Sequence, residues 1–236
     1  MTESEILPHL TTRLLGRNLH LLDTTDSTNT VAKNLAAQGA PEGTLVLAEE
    51  QTAGRGRLGR TWHARAGENL TFSLVLRPTM PHSSIGLLPL LTGVSVARML
   101  RAELGIDART KWPNDVLHGG RKLCGILTES ILQSGGPAAV IVGIGLNVNQ
   151  REFPPELQGS ASSLALETGR TCDRGRLLGA LLHHVESLYE ILSSGKTGEV
   201  IDAWSACSAI LGQRVRVSGA GTMVREGTAR GLAADG

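Results

Sequence analysis

Gly54-Arg55-Gly56-Arg57-Leu58-Gly59-Arg60 interleaves three backbone-permissive glycines with three guanidinium forks. Exposed N–H groups and bidentate forks suit the oxygens of phosphates and carboxylates, so the segment reads as an anion clamp. A solvated basic loop or an RGG-like RNA contact is the competing reading. The run also satisfies G-x-G-x-x-G, but no helix pattern opens on the last glycine. The position about 20 residues on, where a dinucleotide site needs an acid, falls near Thr79.

Lys111-Trp112-Pro113-Asn114-Asp115 sets a cation, an aromatic ring and two oxygen-bearing side chains around a fixed proline. Asn114 and Asp115 offer hard oxygens to Mg²⁺, which favours a few carboxylates plus phosphate oxygens; an Asx turn beside a packed Trp explains them equally. Lys122 opens an apolar stretch, KLCGIL. There it points at a reacting phosphate or lies exposed on an edge strand. Asp23 to Asn29 holds more hydroxyl, amide and carboxyl groups than one helix cap uses, which suggests a niche for a neutral ligand with several donors. Gln51 adds an amide to that niche or merely ends a strand. Gly143 and Gly145 imply close approach of a ligand or backbone, with Asn147 beside them as an adenine or phosphate contact or as a turn cap.

Other chemistries lack their residues. The seven histidines form no H-E-x-x-H, and Cys124, Cys172 and Cys207 show no C-x-x-C spacing, so neither zinc nor a disulfide framework is signalled. Gly195-Lys196-Thr197 has Glu190 where a Walker motif needs its first glycine.

The elements that must carry these residues follow from periodicity. Leu7, Leu10, Leu14 and Leu15 predict a short helix stopping at Gly16. NLHLLDTT reads as a strand. A helix capped by Asp26 or Ser27 follows and ends at Gly39. Strands are expected over 44–51 and, half-buried, over 70–76, with a long loop at 52–67 between them. A helix at 83–104 leads to strands at 110–112 and 115–118, a Gly119-Gly120 hairpin turn, and strands at 122–131 and 138–148. Helices over 174–194 and 197–210 precede a small β unit formed by LGQRVRVSG and the residues after Met223. The expected class is α+β, a mixed sheet flanked by helices, with a catalytic domain over 1–210 and a β appendage over 211–236.

Composition bounds the rest. The chain has 236 residues, 41% of them hydrophobic, enough for a sizeable core. Lys+Arg 23 against Asp+Glu 22 leaves a net charge of +1, and aromatics are 3%, so neither a global field nor a stacking platform draws in nucleic acid. The N-terminus lacks a signal-peptide pattern, and the apolar stretches 85–97 and 138–146 are short for a membrane span of about 20 residues. A cytoplasmic protein with no membrane partner is expected.

Taken in order, DSTN at 26–29, EEQTAGRGRLGRTW at 49–62, KWPNDV at 111–116, RKLCGIL at 121–127 and GIGLNVN at 143–149 resemble the bacterial biotin–protein ligases, across roughly Leu19 to Ile210. That resemblance implies a catalytic domain like those of class II aminoacyl-tRNA synthetases and a small SH3-like β domain, here cut short. It implies biotin and ATP as substrates with Mg²⁺, a biotinyl-5′-AMP intermediate, and a biotin carboxyl carrier domain as partner. By resemblance, Ser27, Thr28, Asn29, Gln51, Arg55, Gly56, Arg57 and Lys122 hold biotin. Arg57, Arg60, Trp62, Lys111, Asn114, Lys122 and Asn147 hold ATP and the adenylate. Lys122, Arg57 and Asp115 carry catalysis, with Asp115 on the Mg²⁺ side. About 25 residues precede DSTN, too few for the winged helix of many relatives, so no DNA partner is expected; a weak homodimer is compatible. A non-catalytic biotin sensor and a lipoate or octanoate transferase are the alternatives.

Overall fold

The computed structural model describes residues 1–133, 136–219 and 224–236. Seven strands form one sheet in the order β1-β2-β3-β7-β6-β5-β4: β1 Leu19–Thr25, β2 Leu45–Gln51, β3 Leu70–Leu76, β4 Arg109–Lys111, β5 Asp115–His118, β6 Arg121–Gln133 and β7 Gly136–Leu146. β1 and β2 are parallel, joined across α2 (Thr28–Ala37), and every other neighbouring pair is antiparallel. β8 (Arg214–Val217) and β9 (Arg225–Thr228) make a separate two-stranded ribbon. Met223, from which the sequence places the last strand, lies outside the described residues.

One face of the sheet packs on α3 (Leu88–Leu104), α5 (Arg174–Ser193) and α6 (Thr197–Ala206) in a large core, with the short α4 (Leu164–Thr168) preceding α5. The leucine stripe of α5 supplies Leu177, Leu178, Leu181, Leu182, Val185, Leu188 and Leu192, all buried, as its 3.6-residue period demands. The opposite face is covered at one end by α2, whose Ala32 and Ala36 meet Val46, Val75 and Ile141. Because both faces are covered, all seven residues of β3 are buried, where alternation alone suggests half.

Tertiary structure corrects three expectations. The leucine-spaced N-terminal helix is only α1 (Glu3–Ile6), closed by the Glu5 carboxylate reaching back 2.7 Å to the Thr2 N–H, plus one 3-10 turn at Leu7–His9. Beyond it, the N–H groups of Arg13, Leu14 and Leu15 donate to the buried Glu186 carboxylate at 2.6, 2.9 and 2.8 Å, leaving no helical hydrogen bonds there. α6 stops at Ala206, because Cys207 and Ala209 exchange backbone hydrogen bonds with Thr110 and cover the edge of β4. Finally, His82–Leu104 forms a 23-residue helical stretch long and apolar enough to span a membrane by length and composition. Its residues lie mostly in the core, packed on α5 and α6.

Candidate active site

The α2-covered face of the sheet contains a trough with a glycine floor. Gly125 of β6 pairs with Gly145 of β7, and Gly143 lies two residues farther along β7 opposite Leu127. The missing side chains make room: a Cβ on Gly145 would stand 2.3 Å from Cε2 of Trp62, and one on Gly143 would stand 2.2 Å from Oδ1 of Asn29. The trough opens into a cleft of about 360 Å³ lined by Ser27, Gln51, Arg57, Trp62, Lys122 and Asn147 among others.

The segment 54–62 folds over this trough as a narrow ribbon. Arg55 pairs with Thr61, the Gly56 N–H donates to Arg60 O at 2.6 Å, and the Trp62 N–H donates to Gly54 O at 2.9 Å. Gly54 must be glycine, since a Cβ there would fall 2.5 Å from Trp62 O. At the apex Leu58 is exposed with φ 57°, a left-handed conformation that costs a β-carbon residue about 1–3 kcal/mol. Ala53 and Thr52 anchor the ribbon to the carbonyls of Asp26 and Thr25.

Lys122 enters from β6, with its ammonium 2.6 Å from Asp115 Oδ1 and 5.5 Å from the centroid of the Trp62 ring. Its backbone is pinned where β7 has ended. The Lys122 N–H donates to Ser160 O at 2.8 Å, and its carbonyl accepts from the Ser162 N–H at 2.9 Å and the Asn147 amide at 3.5 Å. Asp115 is brought beside Lys122 by the tight β5–β6 hairpin, whose turn glycines, Gly119 and Gly120, take φ 55° and 79°. Arg57, Arg60 and Lys111 have no ion-pair partner among the described residues, and their charges stand free around the mouth.

A chain of polar groups forms the opposite wall. Gln51 Oε1 accepts from the Thr28 N–H at 2.7 Å and lies 3.0 Å from the Thr28 hydroxyl. Ser73 Oγ lies 2.8 Å from that hydroxyl and 2.6 Å from Asn29 Oδ1. Three hydroxyl contacts share two protons between two amide oxygens, so the wall has spare acceptor capacity for a ligand N–H. Asn29 turns its amide nitrogen 2.6 Å from Glu129 Oε2. Burial works to raise the Glu129 pKa, but hydrogen bonds from Lys33 and Asn29 and the charge of Arg55 outweigh it and hold the carboxyl below its usual range.

Comparison with known proteins agrees with this geometry. The sequence pattern of the biotin/lipoate A/B protein ligase family matches residues 21–147. The biotin–[acetyl-CoA-carboxylase] ligase of Mycobacterium tuberculosis is 36% identical over 92% of this chain and 80% of its own. The chain belongs to this ligase family. The bifunctional ligase/repressor of Bacillus spizizenii is 43% identical over 191 residues, and those cover 80% of this chain but 59% of that protein's length. Biotin protein ligase from Aquifex aeolicus, solved with biotin and ATP, superposes with a TM-score of 0.81 at 34% identity, covering 92% of this chain and 88% of its own.

Within this ligase fold, the sequence-marked residues Ser27, Thr28, Asn29, Gln51, Arg55, Gly56, Arg57, Arg60, Trp62, Lys111, Asn114, Asp115, Lys122 and Asn147 all line one cleft. Two of them also brace the backbone around the cleft. Asn114 is buried and spends its amide nitrogen on Ile126 O at 2.7 Å, which makes it a brace between the KWPND turn and β6. Asn147 donates to Ser162 O at 2.9 Å, while its buried Oδ1 has no partner and remains an acceptor. Ser73, Lys33 and Glu129 carry no sequence signal; strand register brings Ser73 and Glu129 beside the site, and Lys33 follows Asn29 by one turn of α2.

Proposed function

We propose that the protein activates biotin with ATP, forms biotinyl-5′-AMP with release of pyrophosphate, and passes the biotinyl group to a lysine of a biotin carboxyl carrier domain. The observation that carries this reading is the convergence of Lys122, Asp115, Trp62 and the arginine ribbon on one glycine-floored trough.

In the first step a biotin carboxylate oxygen attacks the α-phosphorus and the bond to the bridging β-oxygen breaks. Two unit charges about 4 Å apart repel by about 4 kcal/mol at an effective dielectric near 20, so cations must meet the reactants. Lys122 supplies a compact charge between carboxylate and α-phosphate, while Arg55 and Arg57 wrap the same oxygens and Arg60 and Lys111 face the phosphates. Lys122 leaves its contact with Asp115 as the anions arrive. Trp62 offers a ring face to the adenine, and Asn147 Oδ1 offers an acceptor to its amino group. In the second step a carrier lysine amine attacks the acyl carbon and AMP leaves.

The donor chemistry around Asp115 fits Mg²⁺, which takes one or two carboxylates and completes its shell with phosphate oxygens. Among the described residues no group of three or more His, Cys, Asp or Glu is placed to hold a metal without such oxygens. Bound there, the ion would neutralise charge on the departing pyrophosphate.

The polar wall Gln51–Thr28–Ser73–Asn29 favours biotin's ureido ring over a lipoyl or octanoyl chain, which would leave those groups unpaired. We assign residues 1–210 to the catalytic unit and 211–236 to a β appendage, and place the reaction in the cytoplasm, where its substrates occur. Incubation with labelled biotin, ATP, Mg²⁺ and a carrier domain tests the reading: labelled carrier supports it. Label from octanoate or lipoate instead, or none, rejects it.

A further inference from the structure

Glu129 presents a difficulty for the proposed reading. Its carboxylate does not line the cleft itself but the adjoining cavity that residues 52–61 also line, near enough that an uncompensated charge would repel an anionic biotin. Its partners remove the difficulty. Lys33, one helical turn after Asn29 in α2, holds Oε1 at 2.5 Å. Asn29 donates to Oε2 at 2.6 Å, and Arg55, which also reaches Thr30 Oγ1 at 3.2 Å, lies 3.5 Å from that same oxygen.

One acceptor therefore fixes two biotin-side groups. Holding the Asn29 nitrogen turns its Oδ1 toward Ser73 at 2.6 Å, which sets the hydroxyl chain running to Thr28 and Gln51. Holding Arg55 gives the glycine–arginine ribbon a resting place beside the trough. Lys33 lines neither the cleft nor the adjoining cavity and cancels the Glu129 charge from outside both.

We propose that Glu129, neutralised by Lys33, is a positioning residue for biotin recognition that orients the Asn29 amide and docks Arg55. This rests on the biotin–ATP reading above. Glu129 touches neither reacting atom, so its loss acts on biotin affinity rather than on the chemical step.

The test measures KM for biotin and kcat for pyrophosphate release in Glu129→Gln, Glu129→Ala, Lys33→Met and the double variant Glu129→Gln/Lys33→Met. Coupled polar neighbours of this kind shift equilibria by about 5- to 50-fold. Glu129→Ala is expected to raise the biotin KM within that range, with kcat changed less than about threefold. Glu129→Gln keeps an acceptor for Asn29 and suffers less. Lys33→Met raises the biotin KM in the native background, by leaving the carboxylate uncancelled, and has no further effect once Glu129 is Gln.

An unchanged biotin KM in a folded Glu129→Ala protein, a loss confined to kcat, or an undiminished Lys33→Met effect in the Gln background overturns the proposal. Should Glu129→Ala fail to fold, the Gln and Met variants decide it alone. Calorimetric titration of the native protein with biotin separates the two levels: absence of binding sinks the ligase reading, whereas native binding with unmoved variants sinks only the role of Glu129.

Discussion

Gly145→Ala reads the trough directly. A Cβ at Gly145 would sit 2.3, 2.5 and 2.7 Å from Cε2, Cζ2 and Nε1 of Trp62, where carbon atoms normally approach to about 3.5 Å. The indole must lift by the difference, about 1.2 Å, because Gly145 is bonded on both sides, to Thr71 and Gly125, and the strand cannot yield. No left-handed backbone is needed there, and alanine gains about 0.5–1 kcal/mol over glycine within a strand. That gain about offsets losing the Lys122–Trp62 cation–π contact, worth about 0.5–1 kcal/mol at a partly exposed site, so the melting temperature should hardly move. Misplacing a positioning group by about 1 Å can cost about 100-fold. Pyrophosphate release titrated with ATP should show a KM for ATP raised about 10- to 100-fold, with biotin affinity, governed at the Gly143 end, nearly unchanged. A native ATP KM in the folded variant would refute the stacking of adenosine on Trp62 and the role of the glycine floor.

Ser73→Ala removes a fully buried hydroxyl that joins Thr28 to Asn29, leaving Asn29 Oδ1 short of a donor. Thermal melting should show a loss of about 1–3 kcal/mol, and the biotin KM should rise with it. Glu186, whose pKa burial tends to raise but three backbone amides depress, stabilises the fold fully above its unfolded value near 4.5. That contribution disappears as pH falls through the depressed folded value, so Glu186→Gln should destabilise the protein at pH 7 and flatten the acid limb of a melting-temperature profile. Proteolytic cutting between Gly54 and Gly67 should slow when biotin and ATP are both present, as the ribbon closes over them; identical cutting rates would argue against closure.

The strands and long helices were legible because their apolar periods match their burial: the α5 stripe and the continuous apolar run of β7 are read directly from spacing. The Gly119-Gly120 turn was legible for a different reason, since it needs two positive φ angles. The N-terminal leucines misled because a glutamate 171–173 residues away competes for the same amides. At the site, Lys122, the arginine ribbon and the DSTN segment stand out because each is chemically unusual where it occurs; no side chain of that segment caps α2, whose Thr28 N–H goes to Gln51 instead. Ser73 and Glu129 look like ordinary strand residues; their meaning depends on register, Ser73 opposite Gly143 and Glu129 opposite Ile141. Segment 160–162, which braces Lys122, carries no periodicity at all, since its contribution is two backbone hydrogen bonds.

Biotin-dependent exchange of labelled pyrophosphate into ATP, compared between the native protein and Lys122→Ala, tests the central claim most directly. Exchange should be present in the native protein and fall by about 100- to 1,000-fold or more in the variant, while calorimetry still records biotin binding. Exchange persisting near the native rate without the Lys122 ammonium would contradict the account.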